Sequence, residues 1–234
     1  MKSPLRIALA AATCAASLLA VSCSSVNHLD GYSFSGARLG AEVVKVSEPR
    51  MEVSFPDTHP RYGDVLGTAL HVLTGIALAN QASRVDDTMR AALQEADMPG
   101  LVRAEALRAC SRALGAEPQE STGSADYVLS LELDDWGISA RSGSGGISLR
   151  MNVTATLYHS LGGVVWRRVV SIEEPARPDM FGIPGIIGDM VTTTELSEMT
   201  DMDIVRGFTE LARHVARRTS RLLEDDLDDA RDRW

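Results

Sequence analysis

Cysteine, lysine and aromatic residues are all scarce in this chain of 234 residues. Three cysteines allow at most one internal disulfide, so a disulfide-rich scaffold is excluded. Lysine occurs only at Lys2 and Lys45, and aromatic residues make up 5% of the chain. The hydrophobic fraction of 44% is nevertheless enough for a well-formed core. The composition therefore predicts a globular protein held together by burial of apolar surface.

Motifs that indicate catalysis are also missing. The chain contains neither G-x-S-x-G, typical of serine hydrolases, nor the zinc motif H-E-x-x-H. The glycine-rich stretch 143–146 lacks the lysine and the serine or threonine of a phosphate-binding loop, and is typical of a flexible hairpin tip. The five histidines are scattered along the sequence: His28, His59, His71, His159 and His214.

Two groups of acidic residues are weak candidates for a site. Asp57, His59 and Asp64 lie close in sequence, but no second histidine stands at ligand spacing, so a solvated turn is favoured over a metal site. Asp134 and Asp135 stand at the predicted end of a strand, where we expect both to face solvent. We therefore predict a protein that is not an enzyme and has no cofactor, no metal site and no catalytic residue.

The N-terminal segment has the features of an export signal. Lys2 and Arg6 form a short positive region, and an uncharged apolar stretch follows over 7–21. The sequence Ala-Val-Ser-Cys at 20–23 resembles the lipobox of bacterial lipoproteins. The resemblance implies that the thiol of Cys23 receives diacylglycerol and that cleavage removes 1–22. The alternative is a secretory signal with an incidental cysteine, but the sequence offers no equally good A-x-A site.

The residue after Cys23 indicates which membrane holds the protein, and the net charge limits the partners that it can bind. In enterobacterial lipoproteins an aspartate after the cysteine tends to retain the protein at the inner membrane. Ser24 therefore implies, by resemblance, an anchor in the outer membrane with the folded part facing the periplasm. Removal of 1–22 leaves 21 basic and 32 acidic residues, a net charge of −11. Nucleic acid is not expected as a partner, and neither is electrostatic attachment to anionic lipid.

Three regions are predicted along the chain: a signal peptide over 1–22, the lipidated Cys23 with a flexible tether over 23–40, and a single periplasmic α+β domain over 41–234. The tether prediction depends on 24–36, which is mostly polar and contains glycine. With Cys14 removed and Cys23 acylated, Cys110 is left alone. Its helical spacing from neighbouring apolar residues predicts a buried small side chain.

Helices are predicted on both sides of the sheet region in the sequence. Apolar residues recur at helical spacing from 83 to a break at 99–100, and again over 101–114, where Gly115 ends the helix. A longer helix is predicted over about 201–231, with Thr200 and Asp203 at its N-terminal cap. Its end carries arginines followed by acidic residues. This pattern indicates either a solvated helix with internal ion pairs or an acidic tail that docks a basic partner.

Strands are predicted between these helices. Over 147–158 hydrophobic and polar residues alternate strictly, and shorter alternations occur over 127–133 and 164–172. Valine-rich runs within 42–55, split at Pro49, add short extended segments. The predicted fold class is α+β: an antiparallel three- to five-stranded sheet covered by amphipathic helices, with a long C-terminal helix.

Two apolar segments allow more than one interpretation. Residues 65–83 carry no formal charge, but their histidine, threonine, glycine and amide residues favour a buried or interfacial helix over a membrane span. The segment 175–188 is rich in proline and glycine, yet contains Met180, Phe181 and several isoleucines. These apolar residues either pack over the core or form a patch that faces a partner, and packing is favoured.

The order of elements also carries a resemblance. Helices are followed by the sequence ADYVL at 125–129, which opens the sheet, and by VVW at 164–166 in its third strand. This pattern is similar to small periplasmic α/β lipoproteins of the LpoB/CsgG type, and the similarity covers about 83–172. It implies a mixed domain tethered to the outer membrane and carries no catalytic residue.

The leading hypothesis is a non-enzymatic, lipid-anchored envelope protein that binds a protein partner or assists an envelope assembly or transport machine. A first alternative is an auxiliary lipoprotein that binds lipid or another apolar ligand between helices and sheet. A second alternative is a membrane-inserting or pore-forming oligomer that uses 65–83. Cys23 is the one residue predicted to have a functional role, as the site of the membrane anchor.

Overall fold

The computed structural model describes residues 25–54, 97–141, 147–181 and 199–232. Within them the strands are β1 Val26–Asn27, β2 Arg38–Val46, β3 Arg50–Ser54, β4 Glu117–Gln119, β5 Tyr127–Arg141, β6 Ile147–His159 and β7 Val164–Pro175. The helices are α1 Met98–Leu114, the short α2 Pro178–Phe181 and α3 Asp201–Arg231. Two 3₁₀ turns, Leu29–Gly31 and Thr122–Ser124, complete the regular structure of these residues.

The described strands form one mixed sheet. Its order is β1-β7-β6-β5-β2-β4, and β3 lies along β5 beyond the end of β2, so seven described strands fill six positions. β5, β6 and β7 pair antiparallel, as does β1 with β7, whereas β2 runs parallel to β4 and β5, and β3 runs parallel to β5. The α+β class and the long C-terminal helix are confirmed. The prediction of an antiparallel sheet with three to five strands is wrong.

The parallel pairs arise from the path of the chain. β2 and β3 precede α1, and the chain returns to the sheet in β4 and β5 only after that helix. Parallel neighbours require such a crossover, because a tight hairpin joins only antiparallel strands. Periodicity in a sequence reports which face of a strand is buried and not which strand lies beside it, so the pairing of β2 with β5 could not be predicted.

β6 lies between β5 and β7 and follows the predicted alternation. Leu149, Met151 and Val153 are fully buried, while the residues between them are partly exposed. The strands predicted over 127–133 and 164–172 are also confirmed, and both extend further along the chain. β5 and β6 remain paired up to Ala140 and Ile147, which confirms the predicted hairpin, while its tip at 142–146 lies outside the described residues.

The ends of α1 follow from its capping residues. The side chain of Asp97 accepts a hydrogen bond from the backbone N–H of Gly100 at 2.9 Å. Pro99 lies in the first turn, where its missing N–H has no intrahelical partner to lose. The predicted break at 99–100 is therefore wrong, and α1 begins at Met98. The predicted end is confirmed, because Gly115 adopts the left-handed conformation with φ +65°.

α3 begins at the predicted capping box. The hydroxyl of Thr200 accepts from the N–H of Asp203 at 3.3 Å, and the carboxylate of Asp203 accepts from the N–H of Thr200 at 3.1 Å. One stripe of the helix packs against the sheet, and the ring of Phe208 meets the ring of Trp136 edge-on with centroids 5.5 Å apart. Both long helices contact the same core.

The proline- and glycine-rich segment is described as far as Phe181. Met180 and Phe181 are buried, which confirms the favoured prediction for these two residues. Gly207 of α3 lies against the ring of Phe181, where an added methyl group would come within 2.4 Å of a ring carbon. This glycine allows α3 to approach α2 closely. Residues 182–188 lie outside the described part of the chain.

Residues 26–36 belong to the fold, in contrast to the flexible tether predicted over 23–40. Strand β1 pairs with β7 at the edge of the sheet. Leu29 and Phe34 are buried, and the hydroxyl of Tyr127 donates to the backbone carbonyl of Ser33 at 3.1 Å. The mostly polar composition of this segment predicts a linker. Two of its apolar side chains, Leu29 and Phe34, nevertheless pack in the core.

Candidate functional site

A groove runs between α1 and the edge strand β4. Its volume is about 550 Å³, which falls in the range of small-ligand pockets. Apolar side chains form much of its lining, namely Ala104, Leu107, Ala116 and Pro118. The polar side chains that line it are Arg103, Arg108, Ser111, Arg112, Gln119 and Glu120.

The groove forms because one face of α1 packs into the core while an adjacent side of the same helix faces β4. Ala106 and Cys110 lie on the buried face. After Gly115 the chain turns back, and the N–H of Glu117 donates to the carbonyl of Ala37 at 2.8 Å. This bond places β4 beside β2. The flank of α1 and the edge of the sheet thus form two walls of one groove.

The three arginines that line the groove have different hydrogen-bond and ion-pair partners. Arg103 donates to the backbone carbonyl of Glu120 at 3.3 Å, and Nε of Arg112 donates to the backbone carbonyl of Arg108 at 3.1 Å. Arg108 also pairs with the carboxylate of Glu105 at 2.9 Å. Within the described part of the chain, neither Arg103 nor Arg112 has a carboxylate partner. Each of these two bonds uses one N–H of a guanidinium group that has several.

Ser111 adds a buried polar group to the lining. Its side chain is 3% exposed, and its hydroxyl has no hydrogen-bond partner among the described residues. A buried helical hydroxyl commonly donates to the carbonyl four residues back, as Thr219 does to Val215 at 2.8 Å. An unpaired buried hydroxyl costs about 1–3 kcal/mol. This hydroxyl has no accessible surface, so it lies behind the wall of the groove and not within it.

The outer edge of β4 limits how a ligand can be bound. Among the described strands, β4 pairs with β2 alone. Its middle residue, Pro118, has no N–H group, and proline at a sheet edge opposes the addition of another strand. A ligand in the groove must therefore be recognised mainly through side chains.

A second polar site lies at the opposite edge of the sheet, where β1 meets α3. The carboxylate of Asp226 accepts hydrogen bonds from Trp166 Nε1 at 2.6 Å and from the guanidinium of Arg168 at 2.7 Å. Its backbone carbonyl accepts from Nδ2 of Asn27 at 3.0 Å. These bonds join the first strand, β7 and the C-terminal helix. One member of the predicted acidic tail is therefore structural.

The acidic pair Asp134 and Asp135 lies within β5, at a bulge in its pairing with β6. The prediction of a strand end is wrong, and the two side chains that were expected to face solvent are partly exposed. Partial burial raises the pKa of Asp134. Hydrogen bonds from Lys45 at 2.8 Å and Thr154 at 2.7 Å lower the pKa by more than burial raises it, so the net shift is downward. Asp135 lies 3.5 Å from Arg150. Both carboxylates have cationic partners, which suits a structural role.

The thiol of Cys110, on the core-facing side of α1, is fully buried, as predicted. Burial raises the pKa of this thiol to about 12. Because the thiolate is the reactive form, this position does not provide a nucleophile near neutral pH.

The described histidines occupy separate places. The ring of His159 lies 5.1 Å from that of Tyr127, and Nδ1 of His214 lies 2.5 Å from a carboxylate oxygen of Glu174. His28 precedes the first 3₁₀ turn. In the residues that the structure describes, no group of histidine, cysteine, aspartate or glutamate is placed to hold a metal ion.

Several predicted features lie outside the described residues. They are Cys23 with the signal segment, the apolar segment 65–83 with His71, and the group Asp57, His59 and Asp64. Of the helices that are described, none is long and apolar enough to cross a membrane.

Comparisons with known proteins show only distant likeness. No protein-family model matches the chain, and no curated protein matches it. A PelC variant solved as a dodecamer, from Paraburkholderia phytofirmans, is 11% identical over 83% of this chain and 93% of its own, with a TM-score of 0.38. An uncharacterised protein is 11% identical over 80% and 96%, with a TM-score of 0.32. A candidate lipoprotein from Caulobacter crescentus CB15 is 19% identical over 57% and 86%, with a TM-score of 0.30.

Neither the groove nor the Asp226 site was predicted from the sequence. Helical spacing identified the buried face of α1, but arginines on its flank look like an ordinary solvated surface. Strand β4 has only three residues and contains proline, so no alternating pattern marks it. Arg103 and Arg112 are about two and a half turns apart on α1 and project from opposite sides of it, so no single stripe in the sequence marks the groove.

Proposed function

We propose that this chain is a non-enzymatic lipoprotein that binds a protein partner of the cell envelope through the groove between α1 and β4. Acyl chains on Cys23 anchor it to the outer membrane, with the folded part facing the periplasm. The observation that supports this function best is the position of the groove. It lies at the edge of the sheet opposite to the strand that follows Cys23.

The described fold begins very close to the proposed anchor. Val26 pairs with Arg167 of β7, and Asn27 is bonded to α3. Three residues of extended chain span at most about 11 Å. Acylation at Cys23 therefore holds the β1 edge of the sheet close to the membrane surface.

The groove is separated from that edge by the width of the sheet. Five strand spacings of about 4.8 Å lie between β1 and β4, or about 24 Å in total. In the proposed arrangement the groove faces the periplasm, away from the lipid. This position suits the binding of another protein better than the binding of a lipid within the bilayer.

The anchoring is tested by replacing the acylated residue. Cys23→Ala is expected to abolish labelling of the protein with radioactive palmitate, and to leave an uncleaved or wrongly cleaved precursor. The measurement is metabolic labelling followed by immunoprecipitation and membrane fractionation. The matched control is Ser22→Ala, which keeps a small residue before the cysteine and should label normally. A Cys23→Ala protein that still labels and fractionates with the outer membrane rules the anchor out.

The orientation is tested by energy transfer in lipid nanodiscs. A donor dye is placed on full-length lipidated protein at Asp225→Cys, beside the anchored edge, or at Glu117→Cys, on β4. Both positions are exposed, whereas Cys110 is buried and should not react. With acceptor dye on the lipid headgroups, transfer from position 225 should be clearly stronger than from position 117. Equal transfer from the two positions contradicts the proposed orientation.

A further inference from the structure

We infer that the solvent-facing stripe of α3 binds the same stripe of a second copy of this chain, with the two helices antiparallel. The stripe consists of Arg217, Arg221, Glu224 and Asp228. All four residues are exposed, and their helical spacing places them on one side of α3, opposite its buried stripe. This surface is separate from the groove between α1 and β4, so the inference goes beyond the proposed function.

Most charges of the stripe are not neutralised within the described part of the chain. Arg217, Arg221 and Glu224 form no ion pair with any described residue. Asp228 lies 3.6 Å from Arg231, but these side chains are 74% and 67% exposed, so their pairing is weak. Charges of both signs are therefore available to a partner along this side of α3.

The order of these charges is unfavourable for a helix without a partner. Arg217 and Arg221 are four residues apart, and like charges at this spacing repel each other. Glu224 and Asp228 repel in the same way. Asp228 also lies in the last turn, where a negative charge opposes the helix dipole. A neighbour with arginines beside the acidic half and carboxylates beside the basic half removes these costs.

A second copy provides such a neighbour, because the charge pattern is complementary to itself. In an antiparallel pair, a twofold axis can pass level with 222 and 223. Arg217 of one copy then faces the partner's Asp228, and Arg221 faces the partner's Glu224. Each contact occurs twice, which gives four ion pairs. A parallel pair in register places like charges beside each other.

The same arrangement suits two copies on one membrane. His214 contacts Glu174 near the end of β7, and Asp226, later in α3, contacts Trp166 near the start of that strand. α3 therefore runs along β7 in the opposite direction. The twofold axis is perpendicular to α3 and runs across the strands of the sheet. Rotation about it leaves the β1 edges of both copies on the same side, where the proposed acyl chains reach the lipid.

The contact is expected to be weak in solution and effective between chains on one membrane. Exposed ion pairs are individually weak, and four of them correspond at best to a dissociation constant of about 1 mM. Tethering raises the effective concentration into that range. Salt should weaken the contact, because the Debye length is only about 3 Å at 1 M ionic strength.

The test is energy transfer between copies of full-length lipidated protein on phosphatidylcholine vesicles. Donor and acceptor dyes are attached to separate samples at Asp225→Cys, an exposed position beside the stripe. We expect transfer clearly above that of randomly distributed chains at the same surface density, and a fall to the random value at about 1 M salt. Transfer at the random value in low salt overturns the inference.

Charge reversal identifies the surface and its symmetry. The acidic variant is Arg217→Glu/Arg221→Glu, and the basic variant is Glu224→Arg/Asp228→Arg. Each should lose transfer among its own copies, because all facing charges are then alike. A mixture of the two should recover it, because every facing pair is then opposite. Both variants keep a net negative charge, since each changes the net charge of −11 by four, so overall attraction does not explain recovery. A mixture that does not recover overturns the inference.

A control variant and a check of the anchor complete the experiment. Arg50→Glu/Arg177→Glu makes the same change in net charge at two exposed arginines outside α3, and should transfer like the unmodified protein. Equal melting temperatures of all variants exclude unfolding as the cause of a loss. Failure of the proposed anchor is seen separately, as absence of protein from floated vesicles. A hexahistidine tag after Trp234 and nickel-chelating lipid then hold the chains at the same density, and the same outcomes decide the inference.

Discussion

Val170→Asp is expected to unfold the domain, whereas Val169→Asp on the same strand is expected to be tolerated. Val170 is 1% exposed and pairs across the sheet with Val153, in the layer that both long helices cover. A carboxylate at this position has no cationic partner and is cut off from water. We expect a loss of at least about 4 kcal/mol in the free energy of unfolding.

The neighbouring position provides a matched control. Val169 is 65% exposed and faces the other side of β7. The same substitution there should cost less than about 1 kcal/mol, mostly through the low strand propensity of aspartate. Thermal melts of the two purified variants, followed by circular dichroism, give the comparison, with an expected fall of about 10 °C or more for Val170→Asp alone. Similar melting temperatures would show that the assigned faces of β7 are wrong.

Asp226→Ala is expected to loosen the joint between the first strand and the C-terminal helix. The substitution removes the acceptor for Trp166 Nε1 and the counter-charge of Arg168, and both groups are largely buried. Since an unpaired buried donor and an unpaired buried charge both carry a penalty, we expect a loss of about 3 kcal/mol. The measurement is chemical denaturation followed by the fluorescence of the tryptophans.

Two further variants show which bond matters. Asp225→Ala removes the adjacent exposed carboxylate and should change stability by less than about 0.5 kcal/mol. Asp226→Asn keeps an oxygen acceptor for Trp166 but removes the charge that faces Arg168, so its stability should lie between those of Asp226→Ala and the unmodified protein. If Asp226→Ala is as stable as Asp225→Ala, this network does not hold β1 to α3.

The Asp226 network also affects the proposed anchoring. The first described strand after the proposed lipid site is β1, which has only two residues and, among the described strands, pairs with β7 alone. Pairing of this length is weak on its own. The bond from Asn27 to the backbone of Asp226 ties β1 to a 31-residue helix. If Cys23 carries the proposed anchor, a force applied there is passed to the body of the domain and not to an isolated edge strand.

Much of the local structure could be predicted from the amino-acid sequence. The strict alternation in β6 predicted its buried face, because side chains of a strand point alternately to the two sides of a sheet. Thr200 and Asp203 predicted the start of α3, and Gly115 predicted the end of α1, because caps act within one turn of the chain. Cys110 was correctly predicted as buried from helical spacing alone.

The way in which these elements pack against one another could not be predicted from local sequence. The parallel pairing of β2 with β5, the docking of 26–36 and the short strand β4 depend on contacts between residues far apart in the chain. Asp226 has the same chemistry as its acidic neighbours, and only the approach of Trp166 and Arg168 distinguishes it. The groove likewise exists only where the flank of α1 faces β4. The local sequence pattern specifies which side chains of a helix or strand are buried. Which other helices and strands lie beside it depends on the packing of the whole chain.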